Sequence, residues 1–376
     1  MKKLLPEVCT IQYGFPFDSA KFSDSEGVPL IRIRDVVRGY SETFTTEEYK
    51  DEFLVHESDL LVGMDGEFNI AKWGKTPALL NQRVCRLMPK TNIDKGYLFY
   101  FMPTALKKIE EKTPFVTVKH LSAKELNKIE IPILPVDEQK KIATVLDKVS
   151  DLISCREQQL VKLDELVKAR FVEMFGDPVY NEMHWETKRL IDICRTIVDC
   201  PHSTPHYTTK DTGYKCIRTS AVKKNKILWE KVECISKQEY EERIKRKRPE
   251  KGDVIYTREG AILGIAAVID RDYNVALGQR SMLLSPDIYK CTPCFLSMAM
   301  NFDFFLGKAL GGVSGSASPH INVGDIKALE IIAPPIEIQN QFSTFVERVD
   351  QQKQTVQQSL EKLELMKKAL MQEYFG

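Results

Sequence analysis

Two stretches of the chain place hydrophobic residues on alternating four- and three-residue steps, the pattern of an amphipathic helix packed against a partner helix. No Pro or Gly interrupts either stretch, from 138 to 175 and from 338 to 375. Each helix would extend roughly 55 Å, too far to be buried within one small domain. The pattern therefore predicts two long helices that pair with each other. The hydrophobic positions are Ile142, Leu146, Val149, Ile153, Leu160, Leu163, Val167 and Met174 in the first stretch, and Phe345, Val349, Val356, Leu360, Leu363 and Leu370 in the second.

The two helical stretches are copies of one another. From His120 and His320 onward they align without a gap at a constant offset of 200 residues. Two independent surface helices, each packed on its own domain, would be the alternative interpretation, but such helices have no reason to share length, register and lead-in sequence. A tandem duplication accounts for all three. The matching pairs include Glu130 and Glu330, Pro135 and Pro335, Gln139 and Gln339, Leu163 and Leu363, and Phe175-Gly176 and Phe375-Gly376.

The regions before the helices contain short strand-like segments separated by turn residues. In the segment 30–34, apolar and basic residues alternate. The alternation predicts a strand with Ile31 and Ile33 facing the core and Arg32 and Arg34 on the other face.

The second region repeats this arrangement. The segment 216–220 follows Gly213 as the segment 30–34 follows Gly27, so Arg218 takes the position of Arg32. The offset between the copies grows from 186 at Gly27 to 197 at Gln82, which corresponds to Gln279. A growing offset predicts one fold built twice with loops of different length, and therefore the same task on different targets.

The repeat defines the predicted organisation of the chain. We expect a first globular domain over 1–136, a first helix and linker over 137–180, a second globular domain over 181–335 and a second helix over 336–376. Gly176 and Pro178 end the first helix and open the linker. The predicted fold class is α+β, with two domains of mixed helix and strand related by pseudo-two-fold symmetry and separated by two long antiparallel coiled-coil helices.

Composition is that of a globular protein, with 43% hydrophobic residues, 28% charged residues and a net charge of +1. A nucleic-acid surface would therefore depend on local clustering of basic residues rather than on bulk charge. The basic run 241–248 is interpreted most simply as a solvated helix face, with a phosphate-contacting patch as the alternative. Nine scattered cysteines, with no signal peptide and no long apolar run, predict a reduced, cytoplasmic, soluble protein.

The sequence contains no convincing catalytic or metal-binding motif. It has no Gly-rich phosphate loop of the GxxxxGK[ST] or GxGxxG kind, no GxSxG elbow and no HExxH helix. Asp177-Pro178-Val179-Tyr180 lacks the second Pro of an adenine methyltransferase tetrapeptide, and we interpret it as a helix stop. Cys291 and Cys294 form the one close cysteine pair, for which Cys194, Cys200, His202 and His206 are the nearest further ligands. Buried cysteines in a reducing compartment are the preferred interpretation.

With these residues in view, the chain resembles the specificity subunits of type I restriction-modification systems. The resemblance covers the whole chain, as a recognition domain, a helical region, a second recognition domain and a second helical region. Ile338 departs from the pattern, because the first junction has Glu138 there. We expect that departure to alter a local contact only. The most specific marks are the strand-Pro-acidic-Gln-helix junctions at 131–142 and 331–342, the Phe-Gly helix ends, the strand at 27–35, and the pairs Gln82-Arg83 and Gln279-Arg280.

The resemblance implies that each recognition domain binds one half of a bipartite, asymmetric double-stranded DNA target. It implies that the helices pair antiparallel as a spacer, which would place the domains about one turn of duplex apart, roughly 34 Å. The implied partners are two methyltransferase subunits, which use S-adenosylmethionine, and two restriction subunits, which use ATP and Mg²⁺. The chain itself would bind no cofactor, contact no membrane and catalyse no reaction.

Arg contacts to guanine and Gln or Asn contacts to adenine are the favoured base contacts in the major groove. Lys119, His120, His320 and the Ser314–Ser318 loop are expected to contact the DNA backbone. The Gln-Arg pairs have an alternative interpretation, hydrogen bonding to their own loops, since equivalent positions should differ between domains with different targets. The predicted DNA-contacting residues are Arg32, Arg34, Gln82, Arg83, Lys119 and His120 in the first domain, and Arg218, Ser220, Arg258, Gln279, Arg280, Ser314, Ser316, Ser318 and His320 in the second.

Two other classes of function remain as alternatives. One is an enzyme with an unfamiliar active site, which activity of the isolated chain would reveal. The other is a coiled-coil scaffold whose globular domains bind protein partners. DNA affinity that falls steeply with salt would separate the DNA-binding interpretation from the scaffold.

Overall fold

Two helices of 40 residues each run from one unit of the structure into the other. The computed structural model describes residues 1–112, 119–259, 262–302 and 320–376. Unit 1 comprises Met1–Gln158 and Gln357–Gly376, and unit 2 comprises Gln159–Val356. The chain thus divides within the helices, whereas the predicted domain boundaries follow the sequence repeat and remain a prediction. The predicted α+β class with two long helices is confirmed.

Unit 1 contains two main sheets and one strand pair. The orders are β2-β10-β7-β8, β3-β5-β4-β9-β6 and β1-β11. Its strands are β1 (Lys2–Leu4), β2 (Cys9–Tyr13), β3 (Phe22–Ser23), β4 (Val28–Ile31), β5 (Phe44–Thr45), β6 (Leu54–Val55), β7 (Leu60–Gly63), β8 (Asn69–Lys72), β9 (Ala78–Leu80), β10 (Val84–Pro89) and β11 (Glu130–Pro132). Its helices are α1 (Leu5–Val8), α2 (Asp35–Arg38), α3 (Lys95–Lys112), α4 (Ala123–Asn127) and the start of α5 (Val136–Phe175).

Unit 2 has the sheet orders β13-β22-β19-β20 and β14-β18-β15-β21, with the pairs β12-β23 and β16-β17. Its strands are β12 (Thr187–Arg189), β13 (Cys194–Asp199), β14 (Tyr207–Thr208), β15 (Tyr214–Ile217), β16 (Val222–Lys223), β17 (Lys226–Ile227), β18 (Glu233–Ile235), β19 (Val254–Thr257), β20 (Ala266–Val268), β21 (Asn274–Leu277), β22 (Ser281–Pro286) and β23 (Glu330–Ile332). Its helices are α6 (Leu190–Ile193), α7 (Lys237–Arg243), α8 (Pro293–Met300), α9 (Val323–Ala328) and the start of α10 (Ile336–Phe375).

The two units share one scaffold. Their first sheets have the same strand order, and in each unit the first strand pairs with the strand that leads into a long helix. Each second sheet contains one parallel pair, in which Ile31 lies opposite Leu80 in unit 1 and Ile217 lies opposite Leu277 in unit 2. The predicted duplication of the globular regions is therefore confirmed.

The predicted alternation across residues 30–34 is wrong beyond Ile31. Strand β4 ends at Ile31, and a turn leads into α2 at Asp35. Leu30 and Ile31 are both fully buried, in two different hydrophobic clusters, because this sheet is covered on both faces. Alternation predicts one covered face only.

The units differ in what they insert between the shared strands. Between β4 and β7, unit 1 contains α2, β5 and β6, whereas between β15 and β19 unit 2 contains the β16–β17 hairpin, β18 and α7. The basic run 241–248 begins in α7, which ends at Arg243. The Arg243 side chain is 1% exposed, so the interpretation of the run as a wholly solvated helix face is wrong.

In unit 2 the end of α5 packs antiparallel against the start of α10. Asp164 pairs with Lys353 at 2.5 Å, and Arg170 lies over the ring of Phe345, 5.9 Å from its centroid. The Phe171 and Phe342 ring centroids are 5.4 Å apart. As the residue number rises along α5, the number of its contact partner falls along α10, so the two helices run antiparallel as predicted.

The phenylalanine of the Phe-Gly end of each long helix packs in a hydrophobic core. Phe175 is fully buried against Phe295 and Phe342, with ring centroids 4.8 and 5.5 Å away. Phe375 packs in unit 1 against Tyr97 and Phe101 of α3, at 5.3 and 5.9 Å. Each helix therefore ends in the hydrophobic core of the unit in which the other helix begins.

A buried glutamine joins the start of each long helix to the rest of its unit. Gln139 accepts a hydrogen bond from the Asp94 N–H at 2.8 Å and donates to the carbonyl oxygens of Leu134 and Asn92, at 2.8 and 3.3 Å. Its side chain is fully buried. All of the polar groups of this amide are thereby paired, which is what burial requires.

Gln339 repeats the same three bonds in unit 2. It accepts from the Thr292 N–H at 2.9 Å and donates to the carbonyl oxygens of Pro334 and Lys290, at 2.8 and 3.2 Å. The neighbouring departure from the motif, Ile338, packs against the hydrophobic core, so it alters a local contact as predicted. In both copies of the repeated motif, the glutamine therefore joins the start of the long helix to the rest of its unit.

Eight of the nine cysteines are buried or half-buried, and Cys155 is exposed. Burial raises the pKa of Cys9, Cys85, Cys194, Cys216 and Cys294 to about 12. Since the thiolate is the reactive form, a raised pKa makes these thiols unreactive at neutral pH. No helix in the described parts of the chain is long and apolar enough to cross a membrane.

We expect one of the nine thiols, Cys155, to react rapidly with a thiol reagent in the native protein near neutral pH. The other thiols should react only after denaturation. Alkylation followed by peptide mass spectrometry measures the rate at each site. Rapid labelling of Cys85 or Cys194 in the native protein would contradict the packing described here.

Candidate nucleic-acid interface

In each unit, exposed polar side chains follow the carboxyl ends of the two parallel strands. Because the strands are parallel, these ends lie at one edge of the sheet. Arg32 follows β4 and Gln82-Arg83 follow β9, and all three residues are exposed. We call this edge the strand-end surface of unit 1. In unit 2, Arg218 follows β15 and Arg280 follows β21, and both are exposed. This edge is the strand-end surface of unit 2.

The backbone of the unit 1 surface is held by a few short contacts. Asp35 is buried and its carboxylate accepts a hydrogen bond from the Arg32 N–H at 2.8 Å. The Gln82 N–H donates to the Phe15 carbonyl at 2.9 Å. A Cβ at Gly14 would lie 2.0 Å from the Asn81 carbonyl oxygen, so the chain passes closely enough here to require glycine. The strand-end loops are therefore rigidly connected while the Arg32 and Gln82 side chains face solvent.

Asp65 joins Arg83 to His120. Its carboxylate lies 2.6 Å from His120 Nδ1 and 3.6 Å from Arg83 Nε. The same His120 Nδ1 lies 3.2 Å from Arg83 Nη1, so the three side chains contact one another. Arg83 has a φ of +71°, a left-handed conformation that belongs to a tight turn. The cluster is exposed, with Arg83 and His120 side chains 55% and 45% accessible, so its basic groups can meet a phosphate.

Two further predicted residues of unit 1 are tied to the protein. Arg34 is exposed and donates to Thr43 Oγ1 at 3.3 Å. Lys119 is half-buried, and its Nζ donates to the Glu110 carbonyl oxygen at 3.0 Å. Arg34 can reach solvent from this position, whereas Lys119 is already partnered at the end of α3.

On the unit 2 surface, Arg218 stacks on an aromatic ring. Its guanidinium carbon lies 4.7 Å from the Tyr207 ring centroid, and its Nη1 pairs with Glu233 at 2.8 Å. This hydrogen bond raises the pKa of the Arg218 guanidinium. A Cβ at Gly278 would lie 3.4 Å from the Arg218 Cα, so the Gly278–Arg280 turn packs directly beside Arg218. Ser220 is exposed at the following turn.

The structure places Arg258 in the interior rather than on the surface. Its side chain is 6% exposed and binds Asp199 through two hydrogen bonds of 2.8 and 3.0 Å. It also contacts Glu259 at 2.8 Å and donates to the Ile321 carbonyl oxygen. A guanidinium that is buried and paired in this way is not available to DNA, so the structure contradicts the prediction of Arg258 as a DNA contact.

The glutamines of the two Gln-Arg pairs lie in different environments. Gln279 Nε2 donates to the His202 carbonyl oxygen at 3.0 Å and to Thr204 Oγ1 at 2.6 Å, so it bonds its own loop, as the alternative interpretation predicts. The Gln82 side chain is exposed. His320 is exposed, and its backbone forms an isolated β-bridge with Glu259 as the backbone of His120 does with Asp65. Ser314, Ser316 and Ser318 lie outside the described residues.

The sequence analysis overlooked the acidic partners of the basic residues. Asp65 orients His120, Asp199 binds Arg258, and Glu233 binds Arg218. One signal was present, because Asp65 and Glu259 occupy matching positions of the repeat at the same offset as Asp59 and Asp253. In the described parts of the chain, no group of three or more His, Cys, Asp or Glu side chains is placed to hold a metal ion.

The model of the type I restriction modification DNA specificity domain matches the chain twice, at residues 1–165 and 182–365. The chain is 29% identical to the type I restriction enzyme EcoBI specificity subunit of Escherichia coli, over 92% of this chain and 78% of that protein. It is 24% identical to the MjaVIII specificity subunit of Methanocaldococcus jannaschii, over 91% of this chain and 87% of that protein.

A solved structure has a similar fold. The type I restriction-modification S subunit from M. genitalium superimposes with a TM-score of 0.60 at 13% identity, covering 100% of this chain and 96% of that one. At this identity, the similarity concerns the fold alone.

Proposed function

The chain belongs to the type I restriction-modification DNA specificity family, and from this premise we propose that unit 1 and unit 2 each read one half of a bipartite DNA target. It acts as the DNA-reading, non-catalytic subunit. The observation that carries the proposal is the repeated scaffold, which presents exposed arginines at the same strand-end surface in each unit while the segments inserted between the shared strands differ. Two half-sites of different sequence would require this combination.

Within the strand-end surfaces, Arg32, Gln82 and Arg83 of unit 1 and Arg218 and Arg280 of unit 2 are the proposed base and phosphate contacts. Each is exposed. Arginine can donate two hydrogen bonds to guanine or bind a phosphate, and glutamine can bind adenine in two places. Arg34, His120, Ser220 and His320 are also exposed and are proposed to contact the DNA backbone.

Partner subunits would supply the chemistry. We propose a complex with two methyltransferase and two restriction subunits, with S-adenosylmethionine, ATP and Mg²⁺ bound on those subunits. The paired helices α5 and α10 would set the distance between half-sites. Because the substrate is the DNA of the cell that makes the protein, the complex would work in the cytoplasm.

Mapping of N6-methyladenine tests this function. Cells that express the chain with its methyltransferase partner should show a bipartite methylated motif with a fixed gap, and cells that express the partner alone should not. The purified complex should bind DNA with an affinity that falls steeply as salt rises. An intact complex that methylates no motif and binds DNA no better than a protein of similar charge would contradict the proposal.

Single substitutions should affect one half-site at a time. Arg32→Ala should weaken discrimination in the half-site read by unit 1, and Arg280→Ala in the other, by about fivefold to 100-fold, as expected for loss of one base contact. Methylation of libraries with each half-site randomised measures this. Reduced methylation of all sequences, with discrimination unchanged in both half-sites, would mean that these residues bind backbone phosphates only.

A further inference from the structure

A short polar loop follows β13 in unit 2 and lies against the strand-end surface. It comprises residues 200–206, and we call it the histidine loop. Cys200 and Pro205 are buried and fix its two ends. His202 lies between these two residues and its side chain is 64% exposed, and His206 follows Pro205 and its side chain is 94% exposed. The loop therefore presents two imidazoles to solvent from a fixed base.

Two residues from elsewhere in unit 2 hold the middle of this loop. Arg243, at the end of α7, donates to the Ser203 carbonyl oxygen at 2.7 Å and to the Leu277 carbonyl oxygen at 3.2 Å. Gln279 donates to the His202 carbonyl oxygen and to Thr204 Oγ1. The acceptors of these bonds are backbone carbonyls and a hydroxyl, so the bonds fix the path of the loop. None of them involves an imidazole nitrogen.

A third attachment lies at the start of the loop. Asp199 is bound by the buried Arg258 through both carboxylate oxygens, and its Oδ2 also lies 3.1 Å from His202 Nε2. The Asp199 carbonyl oxygen also accepts from Arg246 at 3.4 Å. Burying arginines is unfavourable unless each is fully paired, and such pairs contribute little net stability. Their placement is better explained by a need for one defined conformation of the loop.

The matching loop of unit 1 is attached to the matching turn and has a different chemistry. It follows β2, and its Phe15 carbonyl accepts from the backbone N–H of Gln82, whereas the His202 carbonyl accepts from the side-chain Nε2 of Gln279. Its side chains are aromatic, with Phe15 39% exposed and Phe17 buried. One position on a shared scaffold thus carries two aromatic residues in one unit and two histidines in the other.

The carboxylates beside the histidines define what the imidazoles can bind. Asp199 contacts Nε2 of His202, and Glu239 lies 3.4 Å from Nδ1 of His206. Because a carboxylate only accepts, Nδ1 of His206 carries the proton in its hydrogen bond with Glu239, and Nε2 of a neutral His206 is then a hydrogen-bond acceptor. Acceptors match the amino groups that adenine and cytosine present in the major groove.

We propose that the histidine loop discriminates bases in the half-site read by unit 2 through the exposed imidazoles of His202 and His206, with Nε2 of a neutral His206 as the acceptor for an amino-bearing base. Arg243 and Gln279 are positioning residues that act through the loop backbone. This inference rests on the proposed function of the chain as a reader of bipartite DNA.

The test is methylation of a library with randomised half-sites by the complex of this chain with its methyltransferase partner. The double variant H202A/H206A should lose discrimination by about tenfold or more at one or two positions of one half-site. The other half-site serves as an internal control and should be unchanged. Q279A should weaken discrimination at the same positions, and hydrogen exchange of residues 200–206 should become faster. H184N, which changes an exposed histidine in the linker, is the matched control.

The outcomes distinguish a failure of the proposed function from a failure of the inference about the histidine loop. If the unaltered complex methylates no bipartite motif, the proposed function fails. If it does, and H202A/H206A keeps the full motif, the histidine loop is not a reader. Reduced methylation with both half-sites unchanged would also overturn the inference, since it indicates phosphate contacts. Thermal unfolding of the purified variants confirms that unit 2 remains folded.

Discussion

Lengthening both long helices is expected to abolish methylation of the original target and to create a target with a wider gap. Four residues inserted after Val161 in α5, with four more after Thr355 in α10, add one helical turn, about 6 Å, to each helix. These sites face one another in the antiparallel pairing marked by Asp164 and Lys353. Since DNA rises about 3.4 Å per base pair, the gap should grow by one or two base pairs. Methylation mapping reads the gap directly.

The half-sites themselves should not change, because no strand-end residue is altered. Four residues inserted after Asp24, in the exposed loop that precedes β4, are the matched control and should leave the gap as it was. A change in half-site sequence with the lengthened helices would show that the helices do more than set a distance. An unchanged gap would show that they set no distance at all.

Replacing Gln339 by Leu should destabilise unit 2 by about 2–6 kcal/mol, since two buried groups and one partly buried group lose their partner and each unpaired buried group costs about 1–3 kcal/mol. The groups are the Thr292 N–H and the carbonyl oxygens of Lys290 and Pro334. Such a loss is a large part of the stability of a typical domain. Urea unfolding followed by fluorescence measures it, and the buried thiols of unit 2 should become reactive at lower urea.

Asn340→Leu is the control for that substitution, because it adds the same side chain at the next, exposed position of α10. It should change the free energy of unfolding by no more than about 0.5 kcal/mol. Gln139→Leu should reproduce the large effect in unit 1, where the same three bonds occur. A small effect of Gln339→Leu would mean that water replaces the amide at this junction.

The two junction glutamines and the strand-end residues have different roles in the same repeat. Gln139 and Gln339 make identical bonds, as a scaffold element should. Gln82 and Gln279 also occupy equivalent positions, yet one is exposed and the other bonds the histidine loop. Equivalence in sequence therefore identified the scaffold but did not separate positioning residues from readers.

The candidate site was predicted in part. Arg32 and Arg218 were placed correctly at matching positions, because the repeat alone aligns them. Arg258 was misassigned, because its partner Asp199 lies 59 residues away in sequence and only folding brings them together. The histidine loop was considered only as a source of metal ligands. Its attachments come from α7 and from the turn after β21, which no local pattern links to residues 200–206.

The sequence by itself determined the repeated architecture, because hydrophobic periodicity, helix stops and a constant offset are local or one-dimensional signals. It predicted two long helices and two domains of one fold, and it led to the family. Tertiary structure alone decided which polar side chains are free. The exposure of an arginine depends on whether a distant carboxylate or carbonyl reaches it, as Asp199 reaches Arg258 and the Ser203 carbonyl reaches Arg243. Such pairing is a property of the folded chain, and it separates the polar residues that hold loops in place from those that face solvent.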